Sequence, residues 1–159
     1  MYPSGTDGIQ KHNPHKISAK RTKISEFIVD ETLFKVGSEI IWLWVAIEPK
    51  NKGILALSIS KERNMLVAER FLSGLVKEHG NHPVSTDGGT WYPQACRFLN
   101  LDHHIHSHLE KSLIERAMQY FKDRTESFDD YYPCHKERCD LYHIKNWFNL
   151  FADMHNKRR

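Results

Sequence analysis

A dense pattern of apolar and β-branched residues begins at Glu26 and predicts three strands in quick succession. The first covers residues 26–36 (EFIVDETLFKV), and Gly37-Ser38 turns the chain into a second at Glu39–Ile47. The segment Pro49-Lys50-Asn51-Lys52-Gly53 then leads into a third strand, Ile54–Ser60. From there the apolar period lengthens. Over residues 62–79, Met65, Leu66, Ala68, Phe71, Leu72, Leu75 and Val76 fall near 3.6-residue spacing, which predicts an amphipathic helix. Ser60 or Lys61 stands near its start and Gly80 lies beyond its end. A short strand, Val84–Asp87, follows Pro83; a short helix is expected over 91–98 and a fifth strand over 101–106. The next helix, 109–124, buries a stripe of Leu113, Ile114, Ala117 and Phe121. The order β-β-β-α-β-α-β-α places the chain in the α/β class. An aromatic-acidic turn, FDDYYPC, leads to a last helix over 141–156, where Trp147, Phe148, Leu150 and Phe151 mark a buried or dimer-forming side.

Residues 1–25 do not share this patterning. They are polar, basic and broken by Pro3, Gly5, Gly8 and Pro14, and they read as an N-terminal arm or linker ahead of one domain, 26–159. At 159 residues the chain can bury one sizeable core. The net charge of +3 makes it mildly basic, with clusters at Lys11, Lys16, Lys20, Arg21 and Lys23 and at Lys157, Arg158 and Arg159. Such tails are either solvated or contact phosphate. No apolar run approaches membrane-spanning length, and the polar start carries no signal peptide. Three cysteines leave an odd thiol, which fits a reducing compartment. The expectation is a cytoplasmic protein with no membrane partner.

Three carboxylates change the picture most. Asp30 lies within the first strand, Asp87 where the fourth strand meets Gly88-Gly89, and Glu115 on the long helix. Bringing three like charges together is unfavourable unless cations neutralise them, so this placement suggests a divalent-metal site. Hard cations prefer oxygen ligands, which points to Mg²⁺ or Mn²⁺. The order strand-Asp, strand-Asp, helix-Glu is the one that cuts and joins nucleic acid in many polynucleotidyl transferases. Two ions about 3.5–4 Å apart would activate an attacking hydroxyl and stabilise the leaving oxygen. In that scheme Asp30 and Asp87 share one ion, and Glu115 completes the second site with Asp30.

Alternation places Ile28, Asp30, Thr32 and Phe34 on one face and Val29, Glu31 and Leu33 on the other, so Asp30 and Glu31 are not expected to serve one site. Asp87 also reads as a turn residue that caps its own backbone. Glu115 has Lys111, Gln119 and Lys122 along its side of the helix, the pattern of an exposed ion-pair ladder. Glu110, Glu126, Asp129 and Asp130 are rival third carboxylates.

Two other constellations offer metal ligands. His103, His104, His106 and His108 form the run HHIHSH, and Cys134, Cys139 and His143 follow with spacing that is irregular for a zinc site. The histidines read as an amphipathic edge segment, as groups contacting phosphate or water near the carboxylates, or as a metal site. Trp42 and Trp44 alternate on the second strand as core or interface residues. Trp91 and Tyr92 either pack the short helix or stack on an unpaired base.

The blocks FIVDETLFKVG, STDGGTWY and SLIERAMQYFKDRTESFDDYYPC, in that order, resemble DDE transposases of bacterial and archaeal insertion sequences, nearest to insertion-sequence family six. The resemblance covers roughly residues 20–150. It implies a ribonuclease-H-like fold, a mixed five-stranded sheet with helices on both faces. It also implies metal-dependent DNA cleavage with transfer of a 3′ hydroxyl to target DNA, by a prokaryotic protein acting as a homodimer. By motif, Asp30, Asp87 and Glu115 match the family's catalytic, metal-binding carboxylates. Lys122, seven residues after the glutamate, matches a basic DNA-contacting position, and Lys111, Arg116, Trp91 and Tyr92 are further candidates for DNA contact. Family members normally carry an N-terminal helix-turn-helix domain, and the short basic arm of residues 1–25 is not expected to form one. A ribonuclease-H-like nuclease that cuts without joining, or an inactive truncated DNA-binding fragment, are the alternative readings.

Overall fold

The computed structural model describes residues 23–36, 39–131 and 141–157, with side chains for all of these except 36, 125–131 and 141–143. Most of the expected N-terminal arm therefore lies outside the described residues, as do the Gly37-Ser38 turn, Cys134 and Cys139, and the side chain of His143. Three strands come first: β1 (Phe27–Val36), β2 (Glu39–Ile47) and β3 (Ile54–Ser60). They are followed by α1 (Met65–His79), β4 (Val84–Thr86), α2 (Trp91–Phe98), β5 (His103–Ile105), α3 (His108–Tyr131) and α4 (Leu141–Lys157). The five strands form one sheet in the order β3-β2-β1-β4-β5. β1, β2 and β3 pair antiparallel, whereas β1–β4 and β4–β5 pair parallel, so the sheet is mixed as expected.

Period-2 alternation divides the core between the two sheet faces. Ile28, Phe34, Ile41, Leu43 and Val45 face one way and pack on Leu113, Ile114, Met118 and Phe121 of α3 and on Ile144, Phe148 and Ala152 of α4. Phe27, Val29, Trp44 and Ala46 face the other way and pack on Ala68, Phe71, Leu72 and Leu75 of α1 and on Tyr92, Ala95 and Cys96 of α2. Each fully buried large side chain contributes about 1.5–3 kcal/mol relative to exposure. Beyond these two apolar layers, the edge strand β3 is held by Asn156 of α4. Its amide oxygen accepts from Ile54 N at 2.8 Å and its nitrogen donates to Ile54 O at 2.9 Å, in place of a further strand.

Helix ends differ from the sequence expectation in two places. α1 starts at Met65 rather than 62, because the Asn64 side chain accepts from Val67 N and caps the helix there. As a result Met65 and Leu66 are exposed at the outer face and do not join the buried stripe. α3 runs on through Tyr131 rather than stopping at 124, since no Gly or Pro interrupts the chain before Pro133. At its start, Ser107 and Glu110 form a reciprocal capping box. Glu110 N donates to Ser107 Oγ (3.2 Å) and Ser107 N donates to Glu110 Oε1 (2.8 Å).

Candidate metal centre

β1 and β4 run side by side, but their ladder ends at Ile28↔Ser85. Asp30 lies two residues beyond that pair on β1, and Asp87 lies two beyond it in the loop after β4. The parallel pairing therefore delivers the two aspartates to the same end of the sheet. One oxygen of Asp87 accepts from Gly89 N at 2.9 Å, so this residue does cap its own turn. Gly88 takes φ +88°, a left-handed conformation that admits glycine and strains other residues.

Carboxylate oxygens of Asp30, Glu31 and Asp87 gather within 4.8 Å of one another. This corrects the expectation that Glu31, on the opposite face from Asp30, is excluded from the site. The alternation itself holds, since Glu31 is buried toward α1 and α2. With no β4 residue paired to β1 past Ile28, however, no strand separates the two faces at this edge. Both carboxylates then meet at the open flank of β1. Glu31 N donates to Asp30 Oδ1 at 2.9 Å, the Tyr92 hydroxyl donates to Glu31 Oε1, and Arg63 Nη1 lies 3.4 Å from Glu31 Oε2.

The electrostatics are those of crowded negative charge. Burial pushes the Asp30 carboxyl up to about 7, and the charges of Glu31, Asp87 and Glu115 add to the rise against one backbone hydrogen bond. Glu31 is likewise raised, first by burial, although the Tyr92 hydroxyl and Arg63 oppose the shift. Glu115 sits exposed on α3, outside the tight cluster, but close enough for its charge to reach Asp30. An all-oxygen donor set with surplus negative charge fits a hard divalent cation and does not fit zinc's preference for sulfur and nitrogen.

The other candidates separate clearly. Lys111, Arg116 and Lys122 are exposed on α3. Tyr92 is completely buried and offers no face for base stacking; packing is the reading the structure shows, with its hydroxyl turned onto Glu31. Trp91 is partly buried, lies over Gly89 and stacks on Arg63. The sequence gives no sign of a role for Arg63, which falls inside the helix expected over 62–79, where a single arginine reads as surface. Among the rival third carboxylates, Glu110 is engaged in the α3 capping box, whereas the side chains of Glu126, Asp129 and Asp130 lie outside those described.

The histidine run builds a second polar cluster on the same sheet face as Asp30, nearer the start of β1. His104 Nε2 lies 3.4 Å from Glu26 Oε1 and 3.2 Å from Glu110 Oε2, and Ser85 Oγ bridges His106 Nδ1 and Glu110. Burial, a hydrogen bond to Glu110 and the Glu110 charge push Glu26 up to about 8. Burial also pushes Glu110 up, but hydrogen bonds from Glu26, Ser107 N, His104 and Ser85 outweigh it and hold Glu110 down at about 2.

This arrangement has counterparts among known proteins. A model of the DDE domain of insertion-sequence transposases matches residues 24–134. The chain belongs to that family. A protein of Methanocaldococcus jannaschii with no assigned role is 32% identical over 129 residues, covering 80% of this chain. The chain spans 59% of that relative's length. Two retroviral integrase catalytic cores share the fold. The core from BIV is 15% identical with a TM-score of 0.61, covering 82% of this chain and 83% of its own. The core from HTLV-2, determined in complex with magnesium, is 15% identical with a TM-score of 0.60, covering 80% and 83%. The fold of this DDE-family chain is thus ribonuclease-H-like, as the resemblance implied. Among the described residues, no helix is long and apolar enough to cross a membrane.

Proposed function

We propose that residues 26–159 are the catalytic domain of a DNA transposase, in which Asp30, Asp87 and Glu115 hold Mg²⁺ or Mn²⁺ for strand cleavage and 3′-hydroxyl strand transfer. The observation that carries this reading is the convergence of Asp30 and Asp87, in a DDE-family fold, on one cluster of surplus negative charge. The magnesium bound by the HTLV-2 integrase core supports the choice of metal. When bound, the divalent ions would activate the attacking hydroxyl and stabilise the leaving oxygen of an in-line displacement.

The chain's own residues supply position and charge. Asp30 is fixed by its hydrogen bond from Glu31 N on the central strand, and Asp87 by its hold on Gly89 N. Asp30 lies within β1 and Asp87 directly follows β4, so the parallel pairing of these two strands helps to fix their separation. Glu115 lies on α3, whose Leu113, Ile114 and Met118 are buried against the sheet, and its charge reaches Asp30, which supports it as the third carboxylate. The exposed Lys111, Arg116 and Lys122 on the same helix would track the DNA backbone, since phosphate contacts position a duplex without reading its sequence. Trp91, only partly buried, is a further candidate for contact with an unpaired base.

Incubation with a labelled DNA duplex in Mg²⁺ or Mn²⁺ tests the reading, with Asp87→Ala alongside. Cleavage with joined products, both lost in Asp87→Ala, is the expected result. Cleavage without joining would favour a nuclease, and cleavage that survives Asp87→Ala would sink the assignment of the site.

A further inference from the structure

We propose that Arg63 is a positioning residue of this centre: it ties the strand carrying Asp30 to the loop carrying Asp87 and so sets the gap that the metal must fit. This rests on the metal-dependent reading above and adds to it a residue outside the carboxylate set. Arg63 lies between β3 and α1, and its guanidinium sits between two indoles. Its Cζ is 4.0 Å from the ring centroid of Trp42 on β2 and 4.2 Å from that of Trp91 on α2. Two cation–π contacts restrain the guanidinium, and one of its nitrogens reaches Glu31 Oε2 at 3.4 Å.

From there, contacts run in both directions to the aspartates. Toward β1, Glu31 is the neighbour of Asp30, and its N–H holds Asp30 Oδ1. Toward β4, the ring of Trp91 lies so close to Gly89 that a Cβ there would stand 2.7 Å from Cζ2 and 2.8 Å from Cε2. Gly89 N–H in turn holds Asp87 Oδ1. The path Asp30–Glu31–Arg63–Trp91–Gly89–Asp87 is therefore continuous, with Arg63 at its middle.

An exposed arginine–glutamate pair ordinarily contributes little. This pair differs because the Glu31 side chain is 2% exposed while that of Arg63 is 36% exposed. The cation also sits on the most buried carboxylate of the cluster. It offsets negative charge there while leaving Asp30 and Asp87 open to a metal, which is how groups behind metal ligands orient them without coordinating.

The test is a Mn²⁺ titration of the unaltered chain, Arg63→Gln, Arg63→Lys and Gly89→Ala. Free Mn²⁺ would be followed by electron paramagnetic resonance, well below each protein's melting temperature. Arg63→Gln is expected to weaken Mn²⁺ binding about 10–100-fold, the usual effect of losing an outer-shell partner. Arg63→Lys should recover part of the loss, because an ammonium can pair with Glu31 but cannot lie flat between two indoles. Gly89→Ala, which displaces Trp91 with Arg63 untouched, should weaken binding in the same direction. A lower melting temperature for Arg63→Gln with unchanged Mn²⁺ affinity in the folded protein would mean a purely structural arginine and would overturn the proposal. Should that variant not fold, unchanged affinity in both Arg63→Lys and Gly89→Ala overturns it equally. An unaltered chain that binds no Mn²⁺ would remove the metal reading and the proposal together, whereas normal binding in every variant removes the proposal alone.

Discussion

Replacing Asp30 with Asn should stabilise the metal-free protein while destroying its metal response. Asn keeps an oxygen to accept from Glu31 N, so the local geometry is retained and the charge is lost. The carboxyl titrates near 7 instead of 3.8, chiefly from burial and then from the charges around it. At about 1.36 kcal/mol per pH unit this is a ceiling of about 4 kcal/mol, which relaxation and water at a partly open site would reduce to about 1–3 kcal/mol. The sign follows from the raised folded value. The protonated form is favoured in the folded state, so stability is greatest below about pH 4 and is lost as pH rises through 7. Asp30→Asn should therefore melt about 2–12 °C higher than the unaltered chain at pH 8 in chelator, taking roughly 2–4 °C per kcal/mol for this size. The gain should fade toward pH 4. Adding Mg²⁺ at about a hundred times its Kd should then stabilise the unaltered chain by about 2.7 kcal/mol and the variant far less. Thermal melts followed by circular dichroism read all of these. No gain at pH 8, or an equal gain at pH 4 and pH 8, would refute the claim that Asp30 carries unfavourable charge.

Three further outcomes are expected. Glu26→Gln should keep the hydrogen bond to Glu110 and flatten the fall in stability that the raised Glu26 carboxyl imposes between about pH 4.5 and 8, visible as a difference between the two pH–melting curves. Asn156→Ala should lower stability by about 2–4 kcal/mol in urea unfolding, since Ile54 loses both partners at the buried edge of β3, with Mn²⁺ affinity unchanged. Glu115→Ala should abolish strand cleavage and leave the melting temperature within about 1–2 °C, because this side chain is exposed and outside the core; normal metal-dependent cleavage would assign the third ligand elsewhere.

Much of this centre was legible in the linear chain, for physical reasons that also mark where legibility stopped. Asp87 was readable because a short strand, an aspartate and two glycines coincide, and a strand's end is where side chains and backbone turn toward a ligand. Asp30 was readable from period-2 alternation on a strand now seen at the centre of the sheet. The same rule misplaced Glu31. Alternation describes which face a side chain leaves from, not where a neighbouring strand stops, and the end of the β1–β4 ladder at Ile28 decides the matter. Arg63 left no trace, since its role comes from Trp42 on β2 and Trp91 on α2, distant in sequence. Helix periodicity identified Ala68, Phe71, Leu72 and Leu75 correctly, yet could not show that Met65 and Leu66 lie beyond the area the sheet covers. For Tyr92 the packing alternative prevailed because the hydroxyl finds a partner in Glu31 inside the core.

The most direct test of the metal centre is anomalous diffraction from crystals grown with Mn²⁺. A manganese peak between the carboxylates of Asp30 and Asp87 is the predicted result. A peak at Glu26, His104 and Glu110 instead, with nothing at the aspartates, would contradict the assignment of this cluster as the catalytic metal site.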